Sequence, residues 1–290
     1  MSEVIVRDGE EVDPAQAVRA NELRLELPDL AALDAAVRAL ERSTLAGRLS
    51  SMAGKPIEMI GQAIPEQARA VITEAADRAL RAALQVALRT LPELPAGAPA
   101  RPRSSGHRET TLAAASGALG GAFGLVTLPL ELPVSTTLVL RSIADIAREE
   151  GEDLADPETG FACLQVFALG SRTEADDLAS SGYFAVRTAL AQTISQAARI
   201  AAGKGAADSA PIVVKLLSQI ASRFGIVVSQ KVAAGAVPII GALGGAAANA
   251  AFMAHFRAVA RAHFTVRRLE RRYGEAPVRA AYEEIRTRLK

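Results

Sequence analysis

Apolar residues recur at intervals of three and four positions along most of the chain, a pattern that predicts amphipathic helices. In the first helix, Leu30, Leu33, Val37 and Leu40 share one face, and Asp29 is the expected N-cap residue. The same spacing predicts further helices over residues 65–91, 134–150, 161–169, 175–201, 211–224, 232–273 and 276–290. These elements predict an all-α fold, a multi-helix bundle.

Proline and β-branched residues predict where the helices are interrupted. Pro129 and Pro133 should break the chain before the helix at 134–150, because the residue before a proline is disfavoured in the helical conformation. Residues 225–228 are predicted either to be briefly extended or to form a turn between two helices. Pro238 predicts a kink or break within 232–273.

Two uncharged segments carry regularly spaced glycines. Residues 110–130 contain no charged side chain for 21 positions, a length that could cross a bilayer, although small residues outnumber large apolar ones. Spacing by four places glycines on one helical face, where another backbone can approach closely in a membrane or in an Ala-rich soluble core. A second such run covers residues 232–255. We predict that the two segments pack tightly through Gly117, Gly120, Gly121, Gly124, Gly241 and Gly245.

A change of composition predicts a domain boundary. Residues 91–107 contain four prolines in seventeen positions, which is typical of a linker. We therefore predict an N-terminal helical region at 1–90, the linker at 91–107 and the main helical domain at 108–290.

Composition narrows the class of protein. The net charge of +1 and the aromatic content of 4% provide neither the basic surface nor the stacking side chains of a nucleic-acid-binding protein. The single cysteine, Cys163, lies in an apolar context and is expected to be buried, and it cannot form an internal disulfide. The acidic, polar first eleven residues do not resemble a signal peptide, so we expect a cytoplasmic protein.

Charge is segregated along the chain. Residues 141–177 contain ten acidic side chains and three arginines, whereas residues 252–274 contain six arginines and one glutamate. The two regions either pair with one another across the fold, or the basic helix faces anionic phospholipid, where each cation contributes about 1 kcal/mol.

Several polar residues are candidates for chemistry. Glu131 lies between two prolines, where it either is a buried carboxylate of raised pKa or interacts with the positive end of a helix dipole. Arg141 and Asp145 have the spacing of an ion pair on one helix. We expect seven polar residues to line the interior and contact a ligand: Glu131, Arg141, Asp145, His255, His263, Arg267 and Glu270.

Known catalytic and cofactor motifs are missing from the sequence. It contains no HExxH motif, no Cys/His cluster, no GxSxG elbow and no GxxxxGK[ST] phosphate loop. We therefore predict no metal and no cofactor. A metal site from Glu131, Asp145 and the two C-terminal histidines would require tertiary folding to bring them together.

Several segments, in a fixed order, resemble the EcsC protein family. They are SGALGGAFGLVTLPLELPVSTTLVLRSIADIAREEGEDL, CLQVFALG, SGYFAVR, RFGIVVSQK, VPIIGALGGAAANAAFMAHF and ARAHFTVRRLERRYG, within residues 112–282. The resemblance implies a bacterial protein whose family name is linked to an ABC-transporter operon in some Gram-positive bacteria. It implies no settled biochemical activity, and the peptidase label sometimes given to the family has no supporting motif in this sequence.

Three functional hypotheses follow. The first is a non-enzymatic protein that associates with the inner face of the cytoplasmic membrane or binds a lipid or other apolar ligand, with anionic phospholipid as partner. The second is a metal- or acid/base-dependent hydrolase using Glu131 with His255 or His263, which requires these groups to converge around a cavity. The third is a soluble scaffold or accessory subunit of a membrane transporter, which predicts an exposed apolar patch.

Overall fold

Nine helices form the described part of the protein. The computed structural model describes residues 25–42, 44–53, 66–90, 127–171, 182–203, 210–235 and 245–289, and no strand occurs within these ranges. The helices are α1 Leu27–Arg42, α2 Leu45–Ala53, α3 Glu66–Arg89, α4 Leu128–Glu149, α5 Pro157–Leu169, α6 Gly182–Ala201, α7 Ala210–Gly235, α8 Gly245–Tyr273 and α9 Glu275–Leu289. The prediction of an all-α multi-helix bundle is confirmed.

Helix α4 begins earlier than the prolines suggested. It starts at Leu128 and contains both Pro129 and Pro133, so the predicted break before residue 134 is wrong. Pro129 lies in the first turn, where a backbone N–H has no intrahelical acceptor, and proline is tolerated there. Pro133 removes one hydrogen bond just beyond that turn, while Leu132 beside it is fully buried.

Helix α7 is continuous where a break was predicted. Residues 225–228 lie inside it, and neither an extended piece nor a turn interrupts Ala210–Gly235. Val227 and Val228 are fully buried, and their packing outweighs the weak preference of β-branched residues for strands.

The start of α1 also differs from the prediction. Asp29 lies in the first turn of α1 and is not its N-cap.

The helices on both sides of the predicted linker share one core. Helix α8 packs against α1, α4 and α5, and α3 packs against α4, α5 and α7. Phe167, Phe224, Phe252 and Phe256 meet in this core, with ring centroids 4.9 to 6.0 Å apart. Residues 91–107 lie outside the described part, so the domain boundary stays a prediction.

Helices α5 and α8 come into close contact at Gly170. A Cβ atom at this position would lie 2.5 Å from Phe256 Cε1 and 3.2 Å from His255 Nε2. A side chain there would therefore displace α8, so glycine fixes how closely the two helices pack.

Candidate functional site

A buried ion pair joins the start of α4 to the end of α7. Lys231 Nζ donates to Glu131 Oε1 at 2.7 Å, and the two side chains are only 7% and 13% exposed. The ammonium also lies 5.0 Å from the ring centroid of Phe252 in α8. Burial lowers the pKa of Lys231, and the carboxylate of Glu131 partly opposes that effect.

We call the region around this pair the apolar junction: residues 128–140 of α4, 224–235 of α7 and 245–254 of α8. Glu131 and Lys231 are its only charged residues. The two side chains neutralise each other, so Glu131 is the anion of an ion pair in the first turn of a helix. Glu131 is thus both largely buried and near the start of a helix, but that helix begins at Leu128 and not near residue 134 as predicted.

Both uncharged glycine-rich segments connect to the described helices at the apolar junction. Residues 110–126 lead into α4, and residues 236–244 connect α7 to α8. Gly117, Gly120, Gly121, Gly124 and Gly241 lie outside the described residues, and Gly245 is the first residue of α8. The tight packing of the two segments therefore remains a prediction.

Two large apolar side chains are exposed at the apolar junction. Leu130 is 77% exposed and Val134, one turn further along α4, is 53% exposed. Val214, which is 45% exposed, lies seventeen residues before Lys231 on α7, or about 26 Å along the helix axis. Leu130 and Val134 thus form an outward apolar face separate from the core.

Among the described helices, α7 has the length and composition that could cross a membrane. The most apolar 18-residue window within Pro211–Ala233 has a mean hydropathy of 1.5, and 39% of that window is buried. The buried side is a normal core face, with Leu216, Ile220 and Phe224 fully enclosed. The core helix of a soluble protein passes the same test of length and composition.

His255 is a buried, neutral residue. Its Nε2–H donates to the Gly170 carbonyl at 2.8 Å, which leaves Nδ1 unprotonated. Nδ1 has no hydrogen-bond partner among the described residues. Burial lowers the pKa of His255 to about 4, because a charged ring would lose its hydration without gaining a second partner.

His263 belongs to a chain of hydrogen bonds between α6 and α8. Arg187 Nη1 lies 3.4 Å from the Tyr183 hydroxyl, which is 2.9 Å from His263 Nδ1. Because the guanidinium can only donate, the Tyr183 oxygen accepts from Arg187, and the tautomer of His263 sets which group donates in the bond to Nδ1. Burial, with the positive charges of Arg187 and Arg267, lowers the pKa of His263 well below its usual value.

Glu270 and Arg267 each form a bidentate ion pair, and each pair has a different partner. Arg187 donates to both oxygens of Glu270 at 2.7 and 2.9 Å. Arg267 donates to both oxygens of Glu152 at 2.8 and 3.1 Å. Burial tends to raise the pKa of Glu152, but the bonds from Arg267 and Arg271 bring it below its ordinary value. His263 is therefore not held between Arg267 and Glu270, although the three share one stripe of α8.

The acidic and basic regions pair with one another across the fold. Arginines of α8 bond carboxylates elsewhere in the chain: Arg261 to Glu149, Arg267 and Arg271 to Glu152, Arg268 to Glu150, and Arg272 to Asp29. Of the two alternatives for the basic helix, internal pairing accounts for these contacts.

Arg141 and Asp145 do not pair with each other. Asp145 accepts from Arg148 at 2.6 Å, three residues further along α4. Arg141 is exposed, contrary to the expectation that it lines the interior. It lies on the same outward side of α4 as Leu130 and Val134.

Sequence reasoning missed Lys231 as the partner of Glu131. The signal was available: Glu131 is the only charged residue in 110–140, and Lys231 is the only Asp, Glu, Lys or Arg in 224–256. An isolated charge in a long uncharged stretch needs a partner when the stretch is buried. Two such charges of opposite sign therefore predict each other.

The described residues do not form the shared cavity that a hydrolase would need. Glu131, His255 and His263 bond to Lys231, Gly170 and Tyr183 respectively, and the two histidines are about 12 Å apart along α8. A pocket beside Tyr183 and Arg223 has a volume of about 10 Å³, room for about one water molecule. In the described part of the chain, no group of three or more His, Cys, Asp or Glu residues could hold a metal ion.

Comparison with known proteins identifies a family. No curated protein and no solved structure matches the chain. The model of the EcsC protein family matches residues 29–269, further toward the N-terminus than the resembling segments. That range includes α1, which packs against α8 in the shared core. Because the match covers most of the 290 residues, the chain belongs to the EcsC protein family.

Proposed function

We propose that this protein is a non-enzymatic, membrane-associated helical protein that contacts the inner face of the cytoplasmic membrane through the apolar junction. The observation that carries this proposal is the exposure of Leu130 and Val134 at that junction. In this role the protein would be accessory to a transport or envelope process.

Transfer of these two side chains out of water supports the proposal energetically. Full burial of a leucine or valine side chain stabilises by about 1.5–3 kcal/mol. The nearby charges add little opposition, because Glu131 and Lys231 already bond each other inside the protein. Ionisable residues close to a hydrocarbon phase are tolerated when they are paired in this way.

The position of the uncharged segments adds support. Residues 110–126 and 236–244 contain no charged side chain, and both connect to the described helices at the apolar junction. The contact face in this proposal differs from the arginine face first considered. The α8 arginines bond carboxylates of the same chain, whereas Leu130 and Val134 point outward.

Contact with lipid at the surface is favoured over a lipid enclosed in the core. The pocket beside Tyr183 has room for about one water molecule, which is far less than an acyl chain requires. The core around Phe167, Phe224, Phe252 and Phe256 is filled by side chains that are at most 1% exposed.

A site-specific fluorophore tests the proposal directly. The native protein has one cysteine, Cys163, which is buried, and burial raises the pKa of its thiol, so it should stay unlabelled. We expect an environment-sensitive label at Val134→Cys to shift to the blue when vesicles of phosphatidylcholine and phosphatidylglycerol are added. The same label at Val214→Cys, on the end of α7 away from the apolar junction, should show no shift in its emission.

Two results would overturn the proposal. Equal shifts at both positions would indicate non-specific adsorption, and no shift at Val134→Cys would remove the membrane contact. The second result would leave the accessory-subunit alternative, in which the same apolar face covers part of a transporter protein.

A further inference from the structure

Helix α4 carries an exposed stripe that changes from apolar to cationic along its length. Leu130, Val134, Thr137 and Arg141 fall within about 60° of one another around a regular helix. Leu130, Val134 and Arg141 are exposed and Thr137 is half-buried, whereas Leu132, Leu140 and Ile143 of the same helix are fully buried. The stripe is thus an outer surface, distinct from the core face.

Among the described residues, no carboxylate compensates the charge of Arg141. Asp145, the nearest carboxylate along α4 in sequence, bonds Arg148 at 2.6 Å. In the described part of the chain Arg141 forms no ion pair, unlike the arginines of α8 that bond Glu149, Glu150 and Glu152.

The spacing along the stripe matches the depth of a membrane interface. Val134 and Arg141 are seven residues apart, or about 10 Å along the helix axis. Leu130 and Val134 lie at the N-terminal end of α4, so in the orientation in which that end points toward the bilayer they enter the acyl region first. Arg141 then lies about 10 Å above Val134, at the level of the headgroup phosphates.

We infer that Arg141 binds the phosphate of an anionic lipid headgroup while Leu130 and Val134 enter the acyl region beneath it. A guanidinium matches phosphate oxygens with two parallel hydrogen bonds. This inference rests on the proposed membrane association and names its lipid chemistry. Because the Arg141 side chain is exposed, phosphate binding there depends on the apolar residues that hold the stripe at the surface.

Vesicle co-sedimentation of matched variants tests the role of Arg141. Wild type, Arg141→Gln and Arg199→Gln are compared on phosphatidylcholine vesicles and on vesicles with equal parts of phosphatidylcholine and phosphatidylglycerol at low salt. Arg199 is an exposed arginine in the last turn of α6 and serves as the control for loss of one charge. We expect Arg141→Gln to weaken binding to the mixed vesicles about five-fold and Arg199→Gln to leave it unchanged.

The outcomes separate this inference from the function on which it rests. If wild type binds the mixed vesicles and Arg141→Gln binds as tightly as Arg199→Gln, the inference is wrong and the membrane association stands. If wild type binds neither vesicle, both are wrong and the stripe is assigned to a protein partner.

A soluble competitor distinguishes the lipid headgroup from free phosphate. Inorganic phosphate is added to wild type on mixed vesicles, with sodium chloride at equal ionic strength as the control. Equal effects of the two salts support the headgroup as the ligand. Release by phosphate alone, absent in Arg141→Gln, would assign Arg141 to the free anion and overturn the inference.

Discussion

The two halves of α8 are held in the fold by different interactions. Its first ten residues, 245–254, carry no charge and meet α7 at Phe224 and Lys231. Residues 257–273 carry six arginines, five of which bond carboxylates of α1, of α4 or of the turn that follows α4. Both halves belong to one continuous helix.

This difference shows which surface of the protein is left without an internal partner among the described residues. In the arginine-rich half, charge density is matched by carboxylates of the same chain, so a basic helix need not indicate an anionic partner. In the apolar half, one buried ion pair is surrounded by uncharged residues, and the nearby Leu130 and Val134 stay in solvent. The membrane contact is therefore proposed at the uncharged half.

The largest effect should come from removal of one member of the buried pair. Glu131→Leu leaves the Lys231 ammonium in apolar surroundings with the Phe252 ring nearby. We expect the free energy of unfolding to fall by about 3 kcal/mol, since breaking a buried ion pair costs about 3–5 kcal/mol and Lys231 can release its proton. Urea denaturation at neutral pH measures this change.

A double variant sharpens that result. In Glu131→Leu combined with Lys231→Met no charge remains buried, so most of the lost stability should return. A double variant as unstable as the single one would show that the two side chains have independent roles. Equal stability of the single variant and wild type would contradict the buried pair.

Lowering the pH should destabilise the protein through His255, which lies between the two halves of α8. The unfolded pKa of histidine, about 6.5, lies above the folded value of about 4 for His255. The unfolded chain therefore binds the extra proton, and the stability from His255 is present above pH 6.5 and lost as pH falls toward 4. We expect a loss of about 2 kcal/mol from this residue between pH 7 and pH 5.

His255→Gln is the matched test, because the amide can still donate to the Gly170 carbonyl without titrating. Its stability should fall about 2 kcal/mol less than that of wild type between pH 7 and pH 5, as measured by urea denaturation at each pH. His263, whose pKa is also lowered, should account for a remaining slope of the same sign. Identical slopes for variant and wild type would contradict the assignment.

The smallest effect should come from one exposed pair of the arginine-rich half. Arg261 is 40% exposed and bonds Glu149, which is 25% exposed. Such pairs are worth about 0.2–1 kcal/mol, so Arg261→Gln should destabilise the protein by about 0.5 kcal/mol in the same urea assay. A loss as large as that of Glu131→Leu would show that the two halves do not differ in this way.

The sequence predicted the fold class well and the interruptions poorly. Apolar spacing located most helices because burial of one face dominates helical stability in a bundle. The predictions at Pro133, Val227 and Val228 were wrong for one reason. The local conformational preferences of these residues are small in free energy beside the packing of Leu132 and Val228 in the core. Tertiary contact, absent from any local window, decided these positions.

The polar candidates were partly predictable for the same reason. His263, Arg267 and Glu270 lie on one stripe of α8, but their partners Tyr183, Glu152 and Arg187 come from other elements. A helical stripe identifies which residues face inward and gives no information about the element that they meet. Isolated charges carry more information, as Glu131 and Lys231 demonstrate.

The contacts between α1 and the end of α8 have a consequence for synthesis of the chain. Glu26 and Asp29 bond Tyr273, Arg268 and Arg272, across 239 to 247 residues of sequence. At about 5–20 residues per second on the ribosome, α1 waits roughly 10 to 50 s for its partner to be translated. During that interval its apolar face has no final docking site, so nascent chains halted before α8 are the species that chaperones should recognise.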